Sequence, residues 1–216
     1  MRNQLGQSMT EFLVVMPVML LLILGAIQFI LIYQTKTTLN YATFEAVRAG
    51  TLENASRTSI EHGLTRGLAP LFARFPTTVE QAGTSDGYNA LAVKVKAARE
   101  FARDEITNGY VKIELLHPTS EMFDKFPDNT IPNDHLGFRE NINGVSVQDA
   151  NLLKIRISYC MKLIVPLVNS LIADKGDDKF NLNCGDAGEQ RLNIVSTATM
   201  RMQSPAIKCK VDPCFD

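Results

Sequence analysis

Residues 12–35, FLVVMPVMLLLILGAIQFILIYQT, contain no charged side chain, and Glu11 stands directly in front of them. As a helix this run is about 36 Å long at about 1.5 Å per residue. That is enough to cross a hydrocarbon core of about 30 Å with some tilt. The run therefore predicts a membrane span with a carboxylate at its lip. A charge inside a bilayer costs about 2.5–3.5 kcal/mol on insertion scales. One at the edge costs less, but it still calls for a partner or a water-facing position. A cleaved secretory signal fits less well. Leu24-Gly25-Ala26 loosely matches a small-residue cleavage site, but apolar residues continue through Ile32, past the roughly 7–15 residues of a secretory apolar region.

The rest of the 216-residue chain is long enough for one domain with its own core. Lys and Arg total 22 against 23 Asp and Glu, with no basic patch, which argues against nucleic acid as a partner. Four cysteines, Cys160, Cys184, Cys209 and Cys214, form no C-x-x-C motif, and no histidine stands at zinc-finger spacing from them. An even count in a membrane-tethered chain points to disulfides and hence to an extracytoplasmic domain. Four cysteines allow three connectivities. Cys160–Cys184 with Cys209–Cys214 is favoured because both close short loops, and four free thiols in a cytoplasmic domain is the competing reading. Charges flanking the span do not orient it: Arg2 lies on one side, and on the other Lys36 and Arg48 are offset by Glu45 and Glu53.

A polar leader, residues 1–6, precedes the run. Pro17 is expected to kink the helix, and Gly25 with Ala26 leaves a notch where another helix could approach. Leu39, Ala42, Ala46 and Ala49 continue at helical spacing. One helix from about Ser8 to Leu52 is therefore predicted, with a small-residue stripe suited to close packing against a partner helix or the base of the domain. Its parts are a span over 7–35 and an extension over 36–56, followed by a domain over 57–216. Within that domain Thr58 and Glu61 resemble a capping box opening a helix over 59–75, with Pro70 as an irregularity. Leu91, Val95, Ala98, Ala102 and Ile106 mark a third helix, which Asn108-Gly109 ends in a left-handed cap. The period then becomes two. VKIELLH (111–117), the stretch around Leu153–Tyr159, and 192–203 with Ile194, Ala198, Met200 and Met202 on one face read as strands. Ser120–Phe126 and 167–173 read as short helical turns, and 127–144 and 174–188 as long loops. The predicted fold class is α+β: a long N-terminal helix, then a small antiparallel three-stranded sheet with helices on one face.

Nothing ties the catalytic residue types together. His62, His117 and His135 are scattered, Glu61-His62 lacks the second histidine of a zincin helix, and no nucleophile elbow, phosphate loop or dinucleotide fingerprint occurs. His117, before Pro118, reads as a strand-end residue. The acidic stretch Asp174–Asp178 lacks calcium-loop spacing and reads as a solvated turn. The match of Asn54-Ala55-Ser56 to a glycosylation sequon carries little weight alone. A non-enzymatic chain without cofactor, metal or small-molecule substrate is expected. A membrane-anchored hydrolase with an unrecognised site is the more distant alternative.

The N-terminal order is specific: Gly6, four residues, Glu11, Phe12, then the apolar run. It resembles a type IV prepilin of the Tad class. EFLVVMPVMLLLILGAIQF is similar to the opening of TadE-like pilus-assembly proteins, with Glu11, Phe12, Pro17, Gly25 and Phe29 in order. RGLAPLFA, KIELLHPTSEMF, IPNDHL, QDANLLKIRISYCMKLIVP and TATMRMQSP resemble their periplasmic part. The resemblance implies cleavage after Gly6 by a prepilin peptidase, leaving Gln7 as the new N-terminus and Glu11 as its fifth residue. It also implies a single-pass protein of the bacterial inner membrane, with its domain in the periplasm. Its partners would be pilin-like subunits and the pilus-assembly machinery. One departure stands out: Gln28 occupies a place where family members often carry an acid. The expected role is a TadE-like minor pilin or pseudopilin, with an uncleaved membrane-anchored scaffold as the alternative. The new amine and the Glu11 carboxylate of a neighbour, each costly alone in lipid, would pair across two helices and set their register. Alternatively, Glu11 offsets the dipole at the N-terminus of its own helix.

Overall fold

A computed structural model of the chain describes residues 7–73, 87–137, 141–173, 184 and 190–208. The helices are α1 (Gln7–Leu52), α2 (Arg57–Phe72), α3 (Gly87–Thr107), α4 (Ser120–Phe123), α5 (Val147–Ala150) and α6 (Asn169–Ile172). The strands are β1 (Val111–His117), β2 (Thr130–Ile131), β3 (Leu152–Lys162), β4 (Arg191–Arg201) and β5 (Ala206–Ile207). β1, β3 and β4 form an antiparallel sheet in that order, with β3 central. The expected α+β class, with one long apolar helix ahead of a three-stranded antiparallel sheet, is what the structure has.

α1 runs unbroken for 46 residues, through Pro17, and is about 70 Å long at about 1.5 Å per residue. Its two halves differ. Residues 11–23 are exposed, whereas Gln28, Thr35, Leu39, Ala42 and Ala46 are buried, with Ile32 half-buried between them. These positions alternate steps of four and three, so they form one narrow stripe. The stripe faces α2 and the sheet. Ser196 Oγ of β4 donates to Asn40 Oδ1 of α1 at 2.9 Å, and the Lys36 amine reaches the Val195 carbonyl. Higher up, Gln203 N and Ser204 N donate to Thr51 O at 3.0 and 3.1 Å. α1 and β4 therefore ascend side by side.

The small residues of α1 meet an internal helix. α2 returns along α1 at very short range: a Cβ on Gly67 would stand 2.4 Å from Ala42 Cα, and one on Gly63 2.8 Å from Glu45 O. α2 opens differently from expectation. The residue before it is Ser56, with no side-chain cap bond. Glu61 turns instead to Arg57 at 2.9 Å, an i,i+4 ion pair, so the Thr58–Glu61 capping box does not form. α3 ends as the Asn-Gly pair predicts. Gly109 has φ +77°, Tyr110 N donates to Glu105 O at 3.0 Å and Gly109 N to Ile106 O at 3.1 Å, a Schellman cap. Ala98 and Ala102 are buried and Ile106 half-buried, but Val95 is exposed. The Leu91 side chain lies outside the described residues.

The stretch expected as a long loop is structured within its described residues. β2 pairs with β5, and amide side chains pin the backbone around it. Asn151 Nδ2 donates to Pro132 O at 2.7 Å, Gln148 Nε2 to Leu136 O at 2.8 Å, and Asn143 Nδ2 to Lys125 O at 2.7 Å. Strands of two residues carry no readable period, so β2 and β5 escape sequence reasoning.

Candidate membrane and assembly face

α1 is long and apolar enough to cross a membrane. Its first half presents apolar side chains all round: Phe12, Leu13, Val14, Val18, Leu22 and Ile23 are all more than half exposed. That pattern suits lipid or neighbouring helices rather than the core of this chain. Glu11 is exposed one turn above Gln7, where α1 begins. Gly6 lies outside the described residues. A Cβ added at Gly25 would meet nothing within 4 Å, so no other part of the described chain fills that notch.

The transition between the two halves falls at Gln28. It is fully buried, and its Oε1 accepts from the backbone N–H of Val165 at 3.1 Å. Its Nε2 has no hydrogen-bond partner among the described residues. The segment carrying Val165 follows β3 directly. The position where the family resemblance anticipates an acid is therefore, here, the point at which the domain fastens to the helix. A cleft of about 440 Å³ opens just above it, lined by Leu31, Thr35, Leu71, Phe72, Met161 and Ile164 among others.

Cys160 and Cys184 are bridged, with Cα atoms 5.3 Å apart, and are buried under Tyr110. Cys209 and Cys214 lie outside the described residues, as does the acidic stretch 174–178. Beside the bridge, the buried Arg191 donates to Glu105 Oε2 at 3.0 Å and to Cys160 O at 2.9 Å, and stacks 3.6 Å from the centroid of the Tyr110 ring. Arg191 bonds an acid, a carbonyl and an aromatic face at once, which the planar guanidinium suits. The neighbouring Tyr159 hydroxyl is pushed well above its usual range by burial, with the Glu105 charge adding and Arg191 opposing. His117 ends β1, and its Nε2–H donates to the Asp149 carbonyl at 2.8 Å. Among the described residues no three His, Cys, Asp or Glu side chains cluster as a metal site would require.

Residues 6–48 match the family model described as TadE-like protein. The N-terminal helix is TadE-like. The match covers the exposed apolar half of α1 and most of its buried half, and ends before the domain that α1 carries. No curated protein and no solved structure matches the chain significantly. The likeness to TadE-like proteins is thus carried by α1, the helix that is long and apolar enough to cross a membrane.

Proposed function

We propose that this TadE-like chain is a minor pilin or pseudopilin, a non-catalytic component that helps initiate, prime or cap a Tad-type pilus. The observation that carries this reading is the division of one helix into two environments. Its first half offers apolar side chains to lipid or to other helices, and its second half is the spine of a folded domain. In this reading a prepilin peptidase cuts between Gly6 and Gln7 in the bacterial inner membrane, and the domain stands in the periplasm. The buried Cys160–Cys184 bridge is in keeping with that oxidising side. Once cleaved, the chain leaves the bilayer by exchanging lipid for the apolar helices of neighbouring subunits. The domain is too large for the bulk subunit of a thin filament, which favours a minor role.

Mass spectrometry of the membrane-purified protein tests processing. A chain starting at Gln7 supports the reading, and one starting at Met1 supports a static anchor instead. Gly6→Ala is expected to stay full length. Glu11 then has its assembly role: its carboxylate pairs with the new amine of an adjacent subunit, while Phe12 packs beside it. Glu11→Gln keeps the shape and insertion of the helix but removes the charge. It should be membrane-inserted and cleaved at normal levels, yet sharply reduced in sheared pilus fractions. Wild-type incorporation would remove Glu11 from the assembly contact.

A further inference from the structure

The segment after β3 reads LIVPLVNSLIA (163–173) and holds no charge between Lys162 and Asp174. Its side chains divide cleanly. Leu163, Val165 and Val168 are buried, whereas Ile164, Leu167 and Leu171 are 62%, 64% and 71% exposed. Solvent exposure of three large aliphatic side chains on one short segment is unfavourable in a water-facing domain. The backbone strengthens the case. Leu167 has φ +69°, a left-handed conformation that a leucine rarely adopts. It is held where its side chain points out rather than into the core.

The height of this segment on α1 is fixed by the bond from Val165 N to Gln28 Oε1. Gln28 is 17 residues beyond Glu11, or about 25 Å along the helix. A hydrocarbon core of about 30 Å that begins at Phe12 therefore ends within a turn or so of Gln28. Phe29, Ile30 and Tyr33 of α1 are exposed at the same level. The apolar-lined cleft bounded by Leu31, Met161 and Ile164 opens there too.

We infer that residues 163–173 form a lipid-contacting shelf. Ile164, Leu167 and Leu171 insert into the outer interfacial layer of the same bilayer that α1 crosses, and they seat the domain on the membrane. Lys162, at the start of the shelf, is placed at headgroup height, where anionic phosphates favour a cation. This inference rests on the reading of α1 as a membrane span.

The chain contains no tryptophan, so a single introduced indole reports its own surroundings. Full-length protein carrying Leu167→Trp or Leu171→Trp is reconstituted in phosphatidylcholine–phosphatidylglycerol vesicles, with and without acyl chains brominated near the headgroup, or near the bilayer centre for the span control. Leu21→Trp, within the apolar half of α1, serves as the span control. Leu52→Trp, about 36 Å beyond Gln28 along the helix, is the water control. The shelf reporters should lose about half their emission or more in brominated vesicles and emit blue-shifted, as indoles at an apolar–polar boundary do. Leu21→Trp should be quenched and Leu52→Trp should not. Quenching at Leu21→Trp with shelf reporters that behave like Leu52→Trp would overturn the shelf and leave the span intact. No quenching at any position would overturn both. A shelf reporter that shifts only when other pilus components are present would assign the patch to a protein partner and reject lipid.

Discussion

Gln28 is a polar residue in an apolar helix, and its effect depends on a single acceptor atom. Its Oε1 satisfies the Val165 amide, which would otherwise be buried without a partner. Gln28→Leu should cost about 1–3 kcal/mol, and the loss should be local. Amide exchange at Val165 should accelerate and proteolysis within 163–173 should appear before global unfolding. Gln28→Glu keeps the acceptor and should protect that amide. From sequence, Gln28 stands out only as a glutamine where the resemblance to TadE-like proteins anticipates an acid, because its partner lies 137 positions away. Tyr159 gives a second residue-scale expectation. Its hydroxyl is held protonated to higher pH in the folded chain than the 10.0 of the unfolded one. That contribution is complete below pH 10 and is lost as pH rises through the folded value. Denaturation midpoints should therefore fall above pH 10, and less steeply in Tyr159→Phe.

At the scale of elements, periodicity carries far. α1, α3, β1, β3 and β4 each follow from apolar spacing sustained over several residues, and the cap at Gly109 follows from the Asn-Gly pair. What fails has a physical reason. The Thr58–Glu61 pair matches a capping box in sequence, but Arg57 offers Glu61 a closer and opposite charge. β2 and β5 are too short to show a period, and their pairing joins residues far apart in the chain. The stripe Leu39, Ala42, Ala46 and Ala49 is legible as a close-packing face, yet the stripe alone does not say that α2 is what covers it. Two glycines separate these cases. Gly67→Ala places a methyl 2.4 Å from Ala42 Cα, a backbone atom, so the helices must part at a cost of about 1–3 kcal/mol. The drop should appear as a lower thermal midpoint in detergent, and Ala42→Gly should not restore it because the nearest atom is Cα. Gly25→Ala meets nothing in the chain. It should leave the midpoint unchanged or slightly raised, and any loss of pilus incorporation would then point to a neighbouring helix at that notch.

For the molecule as a whole, the Cys160–Cys184 bridge spans 24 positions and closes the lower end of the sheet, where β3 leads into the shelf segment. Its even cysteine count and short loop were readable; that Tyr110 and Arg191 seal it was not, because those contacts exist only once β1, β3 and β4 are aligned. Replacing both cysteines with serine should remove about 3 kcal/mol of stability, measured as a lower denaturant midpoint of the full chain in micelles. The change should leave the α1–α2 pair as the last part to exchange its amides.

The unbroken course of α1 has a mechanical consequence. About 25 Å of it leads from Glu11 to Gln28, and from Gln28 onward the same helix is clamped between α2 and the sheet. Anchor and load belong to one continuous helix, with Pro17 inside its first half. A tilt of the buried end of this rod tilts the domain by the same angle, and a turn about its axis swings the domain around the membrane normal. Force applied at Glu11 is thereby delivered to the domain as both pull and torque, so the facing of the domain is decided by whatever grips the first turns of the helix.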